Sequence, residues 1–164
     1  MTPRKMLLAT LVLSSAMFSA ASAPAFAVNE INTAPGFSTD GTPLALHGFD
    51  PVAFFTAGKP TVGDAQFVAS HNGASYYFAS KENLEKFKAD PAKYEPQYGG
   101  FCAYGVSVGK KFDGNPNFWT INNGKLYLNL NADIQKKFGA DVSGSIKNAE
   151  GNWPKIQSKA PADL

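Results

Sequence analysis

The chain is short of the residues that most often carry soft-metal and disulfide chemistry. Its 164 residues include one cysteine, Cys102, and two histidines, His47 and His71. A single cysteine excludes an intramolecular disulfide and leaves a free thiol, an intermolecular bridge, a ligand or a small buried apolar side chain. All three methionines lie at or before Met17, so the rest of the chain has no methionine-rich copper site.

Several signatures of catalysis and of nucleic-acid binding are also absent. The sequence has no C-x-x-C pair, no H-E-x-x-H helix, no G-x-S-x-G elbow and no phosphate loop. Arg4 is the only arginine, and beyond residue 27 the lysines and the acidic residues balance. We therefore expect no nucleic-acid partner, assign no catalytic residue and favour a non-enzymatic role without deciding it.

The first 27 residues have the three-part pattern of a secretory signal peptide. Arg4 and Lys5 give a positive start, residues 6–18 form an apolar run too short to span a bilayer, and small residues follow. Cleavage sites of the A-x-A type end at Ala23 and at Ala27, and we favour the second. No Arg-Arg pair is present, so the general secretory route is expected and the predicted location is periplasmic or secreted.

The remaining chain divides into three parts. No later run approaches the roughly 18 apolar residues of a membrane span, so we expect no membrane anchor once the signal is removed. Residues 28–43 are rich in Gly, Pro, Thr, Asn and Asp, which predicts a flexible N-terminal arm. One domain is expected over residues 44–155, followed by a C-terminal tail over residues 156–164.

Within that domain the patterning predicts a small α+β fold. Two β-hairpins are expected over residues 66–78 and 118–130, because each contains an Asn-Gly turn between apolar runs. A helix follows each hairpin, capped by Ser80 or by Asn131. Asp50, followed by proline, predicts the start of a further short helix.

The two hairpin–helix segments resemble each other at a constant offset of 51 residues. Eight identities fall in the 24 ungapped columns that align residues 67–90 with residues 118–141. Shared turn and cap chemistry explains some of these identities, and a duplicated unit explains all of them. Duplication predicts two sheet-and-helix halves packed face to face, with the glycine-rich segment 97–109 at their junction. A last helix is predicted from residue 142 to about residue 149.

Cys102 lies inside the glycine-rich segment and is the main candidate site residue. Its neighbouring glycines permit close backbone approach and unusual dihedral angles. A reactive or ligating thiolate needs a lowered pKa, whereas a packed core cysteine does not. His47 is the second candidate, since imidazole and thiolate together suit copper or zinc; the alternative is a surface histidine or one bonded to a backbone carbonyl. For His71 a turn position is the better explanation.

Six sequence blocks, in this order along the chain, resemble the exported branch of the YHS-domain family. The resemblance covers about residues 44–155, and its blocks are His47–Phe55, Tyr76–Ser80, Phe87–Tyr94, Tyr98–Ala103, Gly124–Asn129 and Asn152–Pro154. It implies a module like the treble-clef metal-binding domains found beside heavy-metal pumps and oxygenases. The cysteine ligands of the metal-binding versions match Ala53, Ala79 and Asn83 here, so the usual ligand set is replaced.

Three functions remain open on these grounds. The first is a binding module that holds a soft metal ion, copper or zinc, through Cys102 and His47. The second is a thiol-redox protein acting through Cys102. The third is a non-catalytic structural or partner-binding domain in which Cys102 is buried and silent.

Overall fold

The computed structural model describes residues 30–164, and the predicted signal peptide, residues 1–27, lies outside them. The strands are Thr33–Phe37 (β1), Pro43–Ala45 (β2), Asp64–His71 (β3), Ala74–Phe78 (β4), Asn115–Asn122 (β5) and Lys125–Asn129 (β6). The α-helices are Ala53–Thr56 (α1), Lys81–Ala89 (α2), Pro91–Tyr94 (α3), Ala103–Ser107 (α4), Ala132–Ala140 (α5) and Val142–Ile156 (α6). This mixture confirms the predicted α+β class. None of the helices within residues 30–164 is long and apolar enough to cross a membrane.

The strands form two sheets. The first has the order β1-β2-β4-β3, in which β2 pairs with β4 in parallel and the other pairs are antiparallel. The second is the β5–β6 hairpin. Both predicted Asn-Gly turns are present, with positive φ at Asn72 and Asn123 and at the glycine that follows each. Two successive positive-φ residues are what a tight hairpin turn of this kind requires.

The duplication extends to the boundaries of both strands and the helix in each hairpin–helix segment. We call residues 64–89 the first unit and residues 115–140 the second unit. Their strands and helix start and end at positions that differ by 51 throughout, and the irregular pairing in each hairpin falls at the matching place. Ser80 and Asn131 cap the two helices by accepting a hydrogen bond from the backbone N–H three residues later.

The segment before each unit is also repeated, now at an offset of 52. Leu44 bridges in parallel to Ser75, and Pro96 bridges in the same way to Leu126. A left-handed turn follows in both copies, over residues 46–48 and 98–100. Asp50 N then donates to Thr61 O at 2.8 Å and Cys102 N donates to Phe112 O at 2.9 Å. Asp50 and Cys102 therefore occupy equivalent positions in the two halves.

The two halves share their interior. One apolar cluster surrounds Phe78 and Phe87, and a second surrounds Tyr127 and Phe138. A third cluster joins them, with members from both halves: Leu46, Phe54, Leu126 and Leu128. All four of these side chains are buried, so the halves pack as one body, as the duplication predicted.

The expectation of a flexible N-terminal arm is wrong from residue 30 onward. Residues 33–37 form β1, which pairs with β2 and adds an edge to the first sheet. Asn32 N also donates to Gly99 O at 2.8 Å. Gly, Pro and Asn content marked this segment as irregular, but its backbone hydrogen bonds are satisfied by a sheet edge that is distant in sequence.

The C-terminal elements also differ from expectation. α6 continues to Ile156 instead of ending near residue 149, because Trp153 and Ile156 both pack on the second apolar cluster despite Pro154 within the helix. The predicted tail is anchored as well: Lys111 Nζ donates to Gln157 O at 2.5 Å and to Lys159 O at 2.8 Å.

Candidate functional site

Cys102 is fully buried at the start of α4. The glycine-rich composition of this segment did not predict a helix here. Its Sγ accepts a hydrogen bond from Gly105 N at 3.4 Å, and the thiol donates to Asn129 Oδ1 at 3.8 Å. Burial raises the pKa of the Cys102 thiol, and hydrogen bonds from the backbones of Gly105, Leu130 and Tyr104 offset only part of that rise. The sulfur is therefore a neutral thiol at pH 7 that caps a helix.

Asp50 shows what this position does in the other half. Its Oδ1 accepts from Val52 N at 2.8 Å and Ala53 N at 3.2 Å, which confirms the predicted cap. Its Oδ2 accepts from Ala79 N at 2.8 Å and Asn83 Nδ2 at 2.6 Å. The donors around Cys102 come from the matching places, since Tyr104, Gly105 and Leu130 correspond to Val52, Ala53 and Ala79. Asp50 and Cys102 therefore each link a hairpin, through hydrogen bonds, to the short helix that precedes it.

The three positions that match the ligands of metal-binding relatives all converge on Asp50. Ala53 and Ala79 present backbone N–H groups to its carboxylate, and Asn83 presents its side-chain amide nitrogen. Donors of this kind bind an anion and repel a cation, and methyl groups cannot ligate a metal. The residues present therefore do not fit the metal that the resemblance implies at this place.

Asn129 lies beside Cys102 and is also fully buried. It occupies the place of Phe78 in the first unit, and its Oδ1 accepts from the Cys102 thiol and from Tyr104 N. Its Nδ2 has no hydrogen-bond partner among the described residues. An unpaired buried donor costs about 1–3 kcal/mol, so the second half is less well satisfied than the first.

His47 is a half-exposed histidine at the surface, in the left-handed turn before Asp50. Its Nε2 lies 2.8 Å from Asp113 Oδ1, and Asn32 Nδ2 donates to the same oxygen at 2.7 Å. Its partner is thus a carboxylate, not the thiol. Within residues 30–164 no three His, Cys, Asp or Glu side chains are grouped to hold a metal ion. The assignment of Cys102 and His47 to a metal site stays a prediction.

His71 is the last residue of β3, directly before the first hairpin turn. Its Nε2 lies 3.2 Å from Glu95 Oε2, and its ring meets the Phe87 ring edge-on with centroids 5.8 Å apart. These contacts tie the hairpin to the loop that follows α3.

A cavity of about 330 Å³, which we call the junction pocket, opens where the two halves meet. Its wall comes from four separate parts of the chain: Glu30 and Ile31, Asn72 and Tyr76 of the first hairpin, residues 95–99, and Trp153 with Gln157 at the end of α6. The described lining residues include two carboxylates and three aromatic rings, and no lysine or arginine.

The glycine-rich turn gives the pocket its shape. Gly99 has φ +61°, and a Cβ there would lie 1.8 Å from the carbonyl oxygen of Glu30. Only glycine lets the chain pass this closely to residue 30. Tyr98 also has a positive φ, which is unfavourable for a bulky side chain. Its ring packs 5.8 Å from that of Trp153 and 5.9 Å from that of Tyr127, which holds it in place.

Negative charge surrounds these rings. Burial raises the pKa of Tyr76, and the Glu95 carboxylate raises it further. Burial, then Tyr127 and Glu150, raise the pKa of Tyr98. The pocket wall therefore combines aromatic rings with carboxylate-bearing residues.

Sequence reasoning placed the glycine-rich segment at the junction but missed this pocket. Tyr98 and Trp153 stand out in the sequence only as parts of the blocks that carry the family resemblance. Glu30 and Glu95 carry no local motif, because they meet only after β1 and α6 are in place. The Tyr98–Gly100 turn itself was the available signal.

One comparison with known proteins finds a match, and it lies in the first half of the molecule. A family model described as YHS domain matches residues 52–98. No curated protein and no solved structure matches the chain. The matched range runs from the start of α1 to the left-handed turn and leaves Cys102 and the second unit outside it. Residues 52–98 are therefore similar to a YHS domain.

Proposed function

We propose that this protein is an exported, non-catalytic binding domain and that the junction pocket is its ligand site. Export is inferred from the signal-peptide pattern of the first 27 residues. Binding is inferred from the pocket, the place where the glycine-rich turn brings charged and aromatic side chains together.

The composition of the pocket wall carries this proposal. A volume of about 330 Å³ is at the lower end of the range for small-molecule sites. Apolar and aromatic walls with a few polar groups are typical of such sites. Tyr98 adopts a costly backbone conformation at this wall, and strained backbone is concentrated at binding and active sites.

The surroundings of Cys102 argue against a thiol-redox role. A redox cysteine is exposed and has a lowered pKa. Cys102 is fully buried, and burial raises the pKa of its thiol. Its counterpart Asp50 has a structural role, so the same role suffices for Cys102.

The copper or zinc site at Cys102 and His47 remains the alternative proposal. The family match is what suggests a metal, but the matched residues 52–98 contain neither Cys102 nor His47. It requires His47 to leave Asp113 and the buried thiol to lose its proton, and the N–H groups facing the sulfur favour an anion over a cation. The pocket needs no such rearrangement.

A fragment screen by NMR tests the proposal. The chain has two tryptophans, so a ¹⁵N-labelled sample gives two indole N–H signals. Trp153 lines the junction pocket, whereas Trp119 packs against Phe54 and is not among the described lining residues. We expect fragments that bind to move the Trp153 signal and leave the Trp119 signal in place. Hits that cluster around His47 and Asp113, or that move only Trp119, would contradict the proposal.

A further inference from the structure

We propose that the ligand of the junction pocket is a small organic cation of the ammonium class, an inference that rests on the proposed function. The pocket offers two carboxylates for the charge and aromatic faces for the alkyl groups that carry it.

The carboxylates come from two separate parts of the chain. Glu30 lies at the start of the described residues, and Glu95 lies in the loop after α3. The only described side chain in ion-pair contact with Glu95 is His71, whose Nε2 lies 3.2 Å from Oε2 and which is charged only when protonated. No lysine or arginine is among the described residues of the wall, so an anionic ligand would meet repulsion and no compensating partner.

The aromatic rings supply the second attraction. Tyr98 and Trp153 lie with centroids 5.8 Å apart and an interplanar angle of 58°, so they form two sides of a corner. The negative face of an indole or phenol ring attracts an alkylated ammonium group, and Trp is the strongest partner. A neutral ligand of the same shape would gain the contact area but not this attraction.

The protein already uses Trp153 in this way. The Lys111 ammonium group lies 5.4 Å from the centroid of Trp153 and 4.9 Å from that of Phe101. It is buried and is held by the carbonyl oxygens of Gln157 and Lys159. Burial lowers the pKa of Lys111, and the negative charge of Glu30 offsets part of that fall.

The state of the neighbouring tyrosines agrees with this charge pattern. Burial is the main cause of the raised pKa of Tyr76, Tyr98 and Tyr127, and Glu95 adds to the rise at Tyr76. A carboxylate that disfavours ionisation of the Tyr76 phenol also favours a cation bound beside it.

The test is a titration with choline and with its neutral carbon isostere, in which carbon replaces the ammonium nitrogen. The two molecules have nearly the same shape, so only charge separates them. We expect choline to shift the Trp153 indole signal saturably, with a dissociation constant at least about tenfold lower than that of the isostere. The Trp119 signal is the internal control and should not move.

Substitutions assign the charge effect to the pocket. Glu95→Gln and Glu30→Gln should each weaken choline binding by about threefold to tenfold, and neither should change binding of the isostere. Glu82→Gln is the matched control, because Glu82 is exposed on α2 and pairs with Lys86. It should leave both affinities unchanged.

Three results would overturn the inference: the first two leave the proposed function standing, and the third does not. Equal affinities for choline and the isostere would refute the cation class while the pocket kept its binding function. No shift of Trp153 with choline, in a sample where screening fragments do shift it, would likewise refute the cation alone. If neither fragments nor choline move Trp153, the proposed function fails with it.

Discussion

At the scale of single residues, Asp50 and Cys102 show how far the sequence leads. The cap at Asp50 was predicted from its position before proline, and the structure confirms it. The cap at Cys102 was not predicted, because sulfur is a rare acceptor and its partner Asn129 lies 27 residues away. Because Cys102 is the single cysteine, the sequence points to thiol chemistry. The internal repeat instead explains Cys102 as the counterpart of Asp50, a structural helix cap.

The equivalence of the two positions predicts that Cys102→Asp is tolerated at a fully buried site. The carboxylate would meet the N–H groups of Tyr104, Gly105 and Leu130, and Asn129 could turn its unpaired Nδ2 toward it. We expect the variant to fold at neutral pH with a free energy of unfolding within about 1.5 kcal/mol of the wild type, measured by urea denaturation.

Val106→Asp is the control for that measurement. Val106 is equally buried on the same helix but faces the second apolar cluster. An unpaired carboxylate there should cost about 4 kcal/mol or more. If Cys102→Asp is as destabilised as Val106→Asp, the N–H groups around Cys102 and around Asp50 are not equivalent, and the structural account of Cys102 is wrong.

At the scale of elements, local rules gave both hairpins and the helices that follow them. Asn-Gly turns and Ser or Asn caps act over a few residues, so the sequence displays them directly. β1, α4 and the end of α6 were missed or shortened, because they depend on partners elsewhere: β2 for the first, the Cys102 cap for the second and the apolar cluster around Trp153 for the third.

Gly99 and Gly58 separate the cost of a left-handed backbone from that of close packing. Both have positive φ, but only at Gly99 would a Cβ meet another atom, the carbonyl oxygen of Glu30. Gly58→Ala should cost about 1–2 kcal/mol from backbone strain alone. Gly99→Ala should cost at least about twice as much and should shift the amide signals of residues 30–32. Equal costs would show that residue 30 does not pass as closely as described.

Asp40 ties the β1–β2 turn to the first sheet and gives a pH-dependent contribution. Burial by itself would raise the pKa of this carboxyl, but hydrogen bonds from the hydroxyls of Ser38, Ser70, Ser75 and Thr42 outweigh it and lower the pKa below its usual value. Because the folded pKa is the lower one, the stabilisation is present above the usual aspartate pKa and disappears as the pH falls through the folded value.

Asp40→Asn should therefore destabilise the protein by about 1 kcal/mol at neutral pH, a modest amount for an exposed group. Thermal unfolding followed from neutral to acid pH should show the difference from the wild type shrinking on acidification. Asp133→Asn, at an exposed position in the first turn of α5, should show only a small offset. A difference that grows toward acid pH would contradict this reading of Asp40.

At the scale of the whole molecule, the sequence predicted the duplication and the place of the glycine-rich segment, and the structure confirms both. The pocket at that junction could not be predicted, because its wall is assembled from four parts of the chain that share no motif. At the place where the family resemblance implies a metal, N–H groups surround Asp50, and these donors suit a structural carboxylate. The second half has the same arrangement of elements and contributes Tyr98 and Trp153 to the pocket wall.

Native mass spectrometry of the protein purified from the exported fraction, without chelators, tests the central claim most directly. The wild type is compared with Cys102→Ser and with the Glu30→Gln, Glu95→Gln double variant. We predict an organic adduct that persists in Cys102→Ser and is lost from the double variant. A metal-mass adduct that vanishes in Cys102→Ser and persists in the double variant would contradict the account and return the function to the cysteine.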